Sequence, residues 1–150
     1  MEVTNQLYPT EPGQMEKMMK PGPDGPIVMV NLLKFKDKAV YPDGRETDLS
    51  GREAYDIYGR AVGELIKEFG GRIFFIGDVT ELALGLVEDL WDEVALAEYP
   101  DREAMHAMTN SKAWRDMIVH REAGLEGQLN IETVYNTSVA NPPQKNGEGE

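Results

Sequence analysis

The stretch Ile27–Phe35, with the sequence IVMVNLLKF, decides how this chain can fold. It is rich in apolar and β-branched residues and follows a run of turn-forming residues at 21–26 (PGPDGP), a pattern that predicts a strand. Alternate side chains of a strand point to opposite faces. The odd-numbered residues are apolar except Asn31, and the even-numbered residues are apolar except Lys34. Both faces of this strand therefore need a cover.

A long helix is predicted directly after the polar segment 36–50. Ser50 followed three residues later by Glu53 is a capping box, in which each side chain bonds the backbone N–H of the other residue. Gly70 and Gly71 mark the end of the predicted helix Gly51–Phe69. Its apolar residues recur at helical spacing and predict one buried stripe. The members of that stripe are Ala54, Ile57, Tyr58, Ala61, Leu65 and Phe69.

Three more strands and a pair of helices are predicted in the second half of the chain. The strands are 72–79, 91–99 and 129–135, and the helices run from Asp101 to about Met108 and onward from a cap at Asn110 or Ser111. Gly77, inside a strand, predicts a bulge or the close approach of another group. Residues 80–87 could extend this strand or pair with it. The order β-α-β-β-α-β predicts an α+β fold of the ferredoxin-like type, an antiparallel sheet with helices on one face.

The other face of such a sheet carries no helices, yet the first strand is apolar on that face too. The simplest cover is the same face of a second copy, which closes the two sheets into a barrel with twofold symmetry. The sequence therefore predicts a homodimer, a dimeric α+β barrel. The N-terminal segment is the alternative cover for part of this face.

Composition and charge limit the classes of function. The 27 acidic and 15 basic residues among 150 give a net charge of −12, which disfavours binding to nucleic acid phosphates. The absence of cysteine excludes disulfide scaffolds, thiolate metal sites and cysteine nucleophiles. No apolar run is long enough to span a membrane, and the first residues lack the apolar core of a secretory signal. We expect a cytoplasmic protein that binds neither nucleic acid nor membrane.

The two ends of the chain differ from its middle. Residues 1–25 are expected to form an N-terminal extension with a short helix over Glu11–Lys20, capped by Thr10. Residues 136–150 have almost nothing to bury and are expected to form a disordered tail. The domain itself is expected over residues 26–135.

Several segments, taken in order, resemble one known family. They are PIVMVNLLKFKD (26–37), GREAYDIYG (51–59), GGRIFFIGDV (70–79), WDEVALAEYPDREAM (91–105) and VHREAGLEGQLNIET (119–133). Together they resemble the DUF1330 family of the dimeric α+β barrel superfamily. The resemblance implies the ferredoxin-like fold and the homodimer. It implies no reaction, because the superfamily includes cofactor-independent oxygenases, haem enzymes, isomerases and members without known chemistry.

His120 and Arg121 are the candidate catalytic residues, and they lie in the most distinctive of these segments. Arg121 falls on the apolar side of its predicted helix, where a guanidinium could clamp a carboxylate or enolate oxygen of a ligand. His120 could exchange a proton near neutral pH. The alternative is structural, with an ion pair at Arg121 and a hydrogen-bonded His120 at the surface or at an interface.

Six further residues are candidates for ligand binding. They are Asn31, Tyr55, Tyr58, Gly77, Trp91 and Trp114. Asn31 is an amide in an apolar row and needs hydrogen-bond partners that a ligand could supply. The tyrosine hydroxyls could bond a polar group, the tryptophans could line an apolar pocket, and Gly77 could leave room for a ligand. The alternative for Asn31 is a hydrogen bond to neighbouring backbone or side chain, for Gly77 it is a bulge, and for the four aromatic residues it is ordinary packing.

Three hypotheses of function follow. The first is a protein that binds a small apolar or acidic metabolite between sheet and helices, with or without cofactor-independent catalysis. The second is a non-catalytic dimeric accessory module. The third is a haem-dependent protein with His120 as the ligand. No other cofactor and no dedicated metal site are expected, because His106 and His120 lie fourteen residues apart and lack the i, i+4 spacing of paired ligands on a helix.

Overall fold

A computed structural model describes residue 9 and residues 11–145 of the chain. The described residues form, in order, α1 (Gln14–Met19), β1 (Ile27–Phe35), α2 (Gly51–Glu68), β2 (Arg72–Asp78), β3 (Glu93–Tyr99), α3 (Arg102–Thr109), α4 (Lys112–Gly124) and β4 (Leu125–Thr133). After the short α1, this is the predicted β-α-β-β-α-β order with a helical pair in the second helix position. The α+β class is therefore confirmed.

The described strands form one antiparallel sheet in the order β2-β3-β1-β4, so β1 lies in its interior. The odd-numbered side chains of β1 enter the main hydrophobic core, except Asn31. Each described helix contributes to that same core, through Met18 of α1, Leu65 of α2, Met108 of α3 and Trp114 of α4. The helices therefore share one face of the sheet, as the ferredoxin-like fold requires.

The predicted capping box fixes the start of α2. The Ser50 hydroxyl accepts a hydrogen bond from the Glu53 N–H at 3.0 Å, and the Glu53 carboxylate accepts one from the Ser50 N–H at 2.9 Å. Gly51 then packs against Gly124 at the end of α4. A Cβ added to Gly51 would lie 2.7 Å from the Gly124 carbonyl oxygen and 2.1 Å from that of Lys36. The two helices approach this closely because glycine has no side chain.

The buried face of α2 is rotated and wider than the predicted stripe. The buried residues that the stripe did not include are Gly51, Tyr55, Val62 and Ile66, and the predicted members that are only half-buried are Ile57, Ala61 and Phe69. The reason is that α2 packs against both α4 and the sheet. A helix with two packing partners buries a broader face than a single stripe at 3.6-residue spacing describes.

The irregularity in β2 lies between Ile73 and Phe75, so of the two alternatives predicted for Gly77 the bulge is wrong. The alternative, a close approach, describes Gly77: an added Cβ would lie 2.7 Å from the Phe75 ring. Residues 80–87 form no strand, and Leu84 and Leu86 of this segment are exposed.

The last strand begins earlier than predicted. It starts at Leu125, directly after α4, and pairs with β1 through Gly127, which lies opposite Lys34. The register with β1 shifts between Gly127 and Leu125, so an irregularity lies beside this glycine but the pairing continues to Leu125. The earlier start places Gln128 inside the sheet.

The second face of the sheet is apolar and carries none of the described helices. Its side chains follow from the strand register and include Val30, Leu32, Phe75, Val94, Leu96, Leu129 and Ile131. Phe75 is 50% exposed and Ile131 is 45% exposed. We call this surface the open face.

Both ends of the described chain attach to the domain. Helix α1 begins after Gly13 without a side-chain cap, and the predicted cap Thr10 lies outside the described residues. Arg102 donates hydrogen bonds to the Lys17 and Lys20 carbonyls at 3.0 and 3.1 Å, which holds the end of α1.

The first part of the predicted disordered tail, residues 136–145, forms neither helix nor strand and is exposed. It still touches the domain, because Arg72 donates to the carbonyls of Pro143 and Gln144 at 2.6 and 2.9 Å. Residues 146–150 lie outside the described residues. None of the described helices has both the length and the apolar character of a membrane span.

Candidate functional site

A row of polar side chains crosses the core from α4 to the sheet. Arg121 Nη2 donates to Gln128 Oε1 at 2.6 Å, and Gln128 Nε2 donates to Asn31 Oδ1 at 2.8 Å. Asn31 Nδ2 in turn donates to the carbonyls of Met29 and Ala95 at 3.2 and 3.3 Å. The fold thus brings two of the predicted residues, Asn31 and Arg121, into one network through Gln128.

Three predicted aromatic residues lie beside this row. The rings of Tyr55 and Tyr58 are 5.4 Å apart, and Trp114 Nε1 donates to the Tyr58 hydroxyl at 3.3 Å. Burial raises the pKa of both tyrosines, while the positive charge of Arg121 acts in the opposite direction. Both hydroxyls therefore stay protonated at neutral pH. Among the described residues, the Tyr55 hydroxyl has no protein hydrogen-bond partner, and it remains accessible to solvent.

An open cleft of about 670 Å³ lies between α2 and the part of the sheet formed by β2 and β3. Ile73, Ile76 and Ala95 form an apolar floor, and α2 forms the wall. At Gly59 and Gly63 of this wall, an added Cβ would meet no atom nearer than 3.9 Å. The volume lies in the usual range for pockets that bind small molecules.

Of the residues predicted from the sequence, Tyr55 lines this cleft. Asn31, Tyr58, Arg121 and Trp114 lie deeper, between the helices and the sheet, and do not line it. A second cavity of about 360 Å³ lies between Arg72 and the tail.

One end of the cleft is acidic. Glu93 of β3 is buried there, and Arg52 of α2 donates to Glu93 Oε2 at 3.1 Å and to Asp78 Oδ1 at 2.8 Å. Burial raises the pKa of the Glu93 carboxyl, Arg52 lowers it, and the negative charges of Asp56 and Asp78 raise it further. One guanidinium thus faces three carboxylates here, and three further basic residues, Arg60, Lys67 and Arg72, line the same cleft.

His120 lies against the loop 36–50 and not in the cleft. Its Nδ1 shares a hydrogen bond of 2.8 Å with the Tyr41 hydroxyl, and the two rings meet edge to face. Tyr41 and Ala39 of the loop pack with Ala54 and Ala123 of the helices in a second small core. The loop is therefore attached to α2 and α4. His120 and Arg121 contact different neighbours and do not form one pair.

The Tyr41–His120 contact predicts a pH-dependent stability. Burial and the positive charge of Arg45 lower the pKa of His120, and Asp43 acts against them. The pKa of His120 is therefore lower in the folded state than its unfolded value of about 6.5. The stabilisation that the neutral imidazole provides is complete above pH 6.5, and it is lost as the pH falls from 6.5 through the folded-state pKa. We expect wild type to lose more free energy of unfolding than His120→Gln between about pH 7.5 and pH 5.5.

Urea unfolding of both proteins at the two pH values measures that difference. Carboxylates that titrate in the same range affect wild type and variant alike, so the comparison isolates His120. Equal losses in the two proteins would show that His120 does not titrate differently in the folded and unfolded states.

Two other predicted residues lie away from the cleft. Trp91, just before β3, is buried, and its indole N–H has no hydrogen-bond partner within the described part of the chain. Gly77 pairs with Val94 on the open face, where it accommodates the Phe75 ring. Neither residue belongs to the network around Arg121, and a role for either in ligand binding stays a prediction.

The histidines bond protein groups. His106 Nε2 lies 2.7 Å from the Met18 carbonyl oxygen, and His120 bonds Tyr41. Within residues 11–145, no group of three or more His, Asp or Glu residues is arranged to hold a metal ion. The haem hypothesis gains no support from this arrangement, because His120 does not line the cleft.

Four residues of the site were not predicted from the sequence: Glu93, Gln128, Gly59 and Gly63. Strict alternation in WDEVALAEY puts Glu93 on the same face as Ala95 and Ala97, and this signal could have indicated a carboxylate that faces the helices. Gln128 was missed because the last strand was predicted to begin one residue after it.

Comparisons with known proteins agree with this fold. The sequence model of the DUF1330 family, described as a domain of unknown function, matches residues 45–134. Two crystal structures of one protein of unknown function from Rhodopseudomonas palustris also match. The first is 31% identical, covers 87% of this chain and 96% of that chain, and has a TM-score of 0.75. The second, of the methylated protein, is 32% identical, covers 97% of this chain and 100% of that chain, and has a TM-score of 0.77.

A more distant similarity is found to a dimeric ferredoxin-like protein of unknown function from Thermobifida fusca. It is 15% identical, with a TM-score of 0.49, over 74% of this chain and 92% of that chain. No curated protein matches this chain.

Proposed function

The chain belongs to the DUF1330 family, and from this premise we propose that it is a homodimer that binds a small, largely apolar molecule in the cleft between α2 and β2–β3. The observation that carries the proposal is a cleft with an apolar floor and a helix wall that contains two glycines. The domain over residues 26–135 and a cytoplasmic location belong to the same proposal.

The two glycines of the wall are costly for the helix. A glycine inside a helix is about 1 kcal/mol less favourable than alanine. Neither Gly59 nor Gly63 has a positive φ, and an added Cβ would make at most ordinary contacts within the chain. The fold itself therefore has no need of glycine at either position. A bound molecule that lies against the helix backbone would need it.

The floor of the cleft favours an apolar ligand. Ile76 is 56% exposed there, and covering an apolar side chain stabilises a complex by roughly 25 cal/mol per Å². Of the two ligand classes predicted from the sequence, the acidic one has less support. The lining carries both acidic and basic side chains, so its charge favours neither sign of ion, and Arg121, the predicted clamp of an acid, lies outside the cleft.

The dimer in this proposal rests on the open face. Leu32, Leu96 and Phe75 of that face belong to three different strands, and none of the described helices covers them. A contiguous apolar surface of this kind marks an interaction site. The same face of a second copy is self-complementary and closes the barrel.

The roles of the remaining candidates are narrower in this proposal. Four of them lie between the cleft and the core, where they pack around Tyr55 and contact no ligand: Arg121, Asn31, Tyr58 and Trp114. Catalysis is not part of the proposal. A protein whose cleft takes no ligand would match the alternative of a non-catalytic accessory module.

A variant that fills the cleft tests the proposal. We expect hexan-1-ol and octan-1-ol to shift the methyl NMR signals of Ile73, Ile76 and Ala95 in wild type. In Gly63→Leu we expect no such shifts, because the leucine side chain takes the place of the ligand. The helix itself should gain stability, since leucine is a good helix former.

Ala107→Leu serves as the matched control, because it adds the same side chain at an exposed position of α3. The control should bind both alcohols like wild type. Equal shifts in wild type and Gly63→Leu would overturn the proposal, as would a wild type that shows no shifts with either alcohol.

A further inference from the structure

We propose that the segment 80–87, which lies between β2 and β3, is a second part of the dimer interface and packs against the same segment of a second copy. The inference rests on the dimer of the proposed function and adds a contact outside the open face. It follows from three exposed leucines, from the way the segment is fixed to the sheet, and from the cover at the other end of the open face.

The three leucines of the segment face solvent. Leu82 is 38% exposed, Leu84 is 92% exposed and Leu86 is 102% exposed. A single exposed leucine is ordinary on a protein surface, but a cluster of them marks an interaction site. Gly85, with a φ of +105°, separates Leu84 from Leu86, and a Cβ added to it would meet no atom within 4 Å. The space around the cluster is therefore open to a partner.

The base of the segment is fixed on the open-face side of the sheet. The Val79 N–H donates to the Asp92 carbonyl at 2.9 Å, which closes the connection between the strands. Lys34 of β1 points to the open face, since the residues on either side of it enter the core. Lys34 Nζ donates to Asp89 Oδ1 at 3.0 Å and to the Leu90 carbonyl at 2.9 Å. The segment therefore borders the open face at the end where β1 and β2 finish.

The opposite end of the open face is covered by the chain itself. Val28 and Glu98 lie opposite each other there, and they are only 6% and 5% exposed. The Tyr135 hydroxyl donates to Glu98, and Arg72 Nε donates to the same carboxylate at 3.3 Å. Arg72 also bonds the carbonyls of the tail. The C-terminal segment thus closes this end, whereas none of the described residues covers the leucines at the other end.

The direction of the twofold axis decides which surface the leucines meet. An axis along the strands brings like ends of the two sheets together, so leucines meet leucines. An axis across the strands would place the leucines against the tail end of the second copy, where four charged residues line the cavity. They are Asp24, Arg72, Glu98 and Lys145. Because leucine would remove water from these charges without replacing it, the residues favour the first arrangement.

Cysteine cross-linking tests this contact, because the chain has no cysteine of its own. We expect mild oxidation of dilute Leu84→Cys and Leu86→Cys to join two copies through a disulfide. The product has twice the chain mass of 16.8 kDa on a non-reducing gel. Met19→Cys is the matched control, since Met19 is 62% exposed but lies on α1 among the helices, and it should keep the single mass.

A double variant measures how much the leucines contribute to the dimer. Leu84→Ser combined with Leu86→Ser should raise the dimer dissociation constant at least about tenfold in analytical ultracentrifugation. The circular dichroism spectrum should not change, because both side chains are exposed within one chain. Met15→Ser combined with Met19→Ser removes two exposed apolar side chains from α1 and should keep the dissociation constant of wild type.

The outcomes separate this contact from the dimer on the open face. A dimeric wild type in which neither leucine position cross-links, and whose double leucine variant keeps the same dissociation constant, would overturn the inference and leave the open-face dimer standing. A monomeric wild type would overturn both. Flotation of wild type, but not of the double leucine variant, with phosphatidylcholine vesicles would assign the leucines to a lipid surface and overturn the inference.

Discussion

Replacing Gly51 with alanine should destabilise the fold by about 3 kcal/mol, the upper end for overpacking a core position. The added Cβ would lie 2.1 Å from the Lys36 carbonyl oxygen and 2.7 Å from that of Gly124. Both obstacles are backbone atoms, so no side chain can rotate out of the way. Helix α2 would have to move from α4 and from the end of β1, breaking the Gly51 N–H bond to Lys36.

Gly124→Ala should have a similar effect for the reciprocal reason. Its Cβ would lie 2.3 Å from the Gly51 carbonyl oxygen and 2.8 Å from the Tyr55 backbone nitrogen. Because one shift of α2 relieves both clashes, the double variant should cost less than the two single variants together. Urea unfolding monitored by circular dichroism gives the three free energies of unfolding.

Gly59→Ala is the matched control on the same helix, and it should act in the opposite direction. An alanine there meets only the Tyr55 ring, at 4.0 Å, and should stabilise α2 by about 0.5–1 kcal/mol. If Gly51→Ala and Gly59→Ala changed stability alike, the close contact between α2 and α4 would not exist in solution.

The elements that follow from local chemistry could be predicted from the sequence. Strand β1 has the predicted bounds because a β-branched apolar run lies between turn-forming residues and the polar segment. The start of α2 was predicted because Ser50 and Glu53 satisfy each other's backbone within one turn. Features of this kind depend on residues that are close in sequence, so they can be predicted without knowledge of tertiary contacts.

The features that depend on packing between elements distant in sequence could not be predicted in the same way. The sequence shows glycines at 51, 59, 63 and 124 alike, but two of them separate helix backbones and two line a cleft. His120 and Arg121 are adjacent on one helix, yet 100° of helical rotation directs them to different partners. The sequence places candidates on elements, and only the packing of elements decides which candidates meet.

The buried acid is an instructive case. Asp92 and Glu93 are neighbours in the sequence, and alternation along the strand separates their roles. The Asp92 carboxylate accepts a hydrogen bond from the Phe35 N–H at 2.8 Å, whereas Glu93 faces α2 and meets Arg52. The importance of Glu93 arises from Arg52, forty-one residues earlier in the chain, and from the cleft that their elements form.

Leu96→Asp should convert the proposed homodimer into a folded monomer. Leu96 lies in the middle of the open face, opposite Val30 on one side and Phe75 on the other. The twofold symmetry would place two new carboxylates in an apolar interface between chains that each carry a net charge of −12. We expect the dissociation constant to rise by about a thousandfold, which corresponds to about 4 kcal/mol.

Light scattering coupled to size-exclusion chromatography measures this directly. Wild type should have twice the chain mass of 16.8 kDa, and Leu96→Asp should have the single mass with an unchanged circular dichroism spectrum. Ile76→Asp is the matched control, because Ile76 is also apolar and is more exposed than Leu96 but lies on the helix-facing side, and it should stay dimeric. A monomeric wild type would contradict the open face as a dimer interface. A dimeric Leu96→Asp would place the interface elsewhere on the chain and leave this apolar face without its proposed cover.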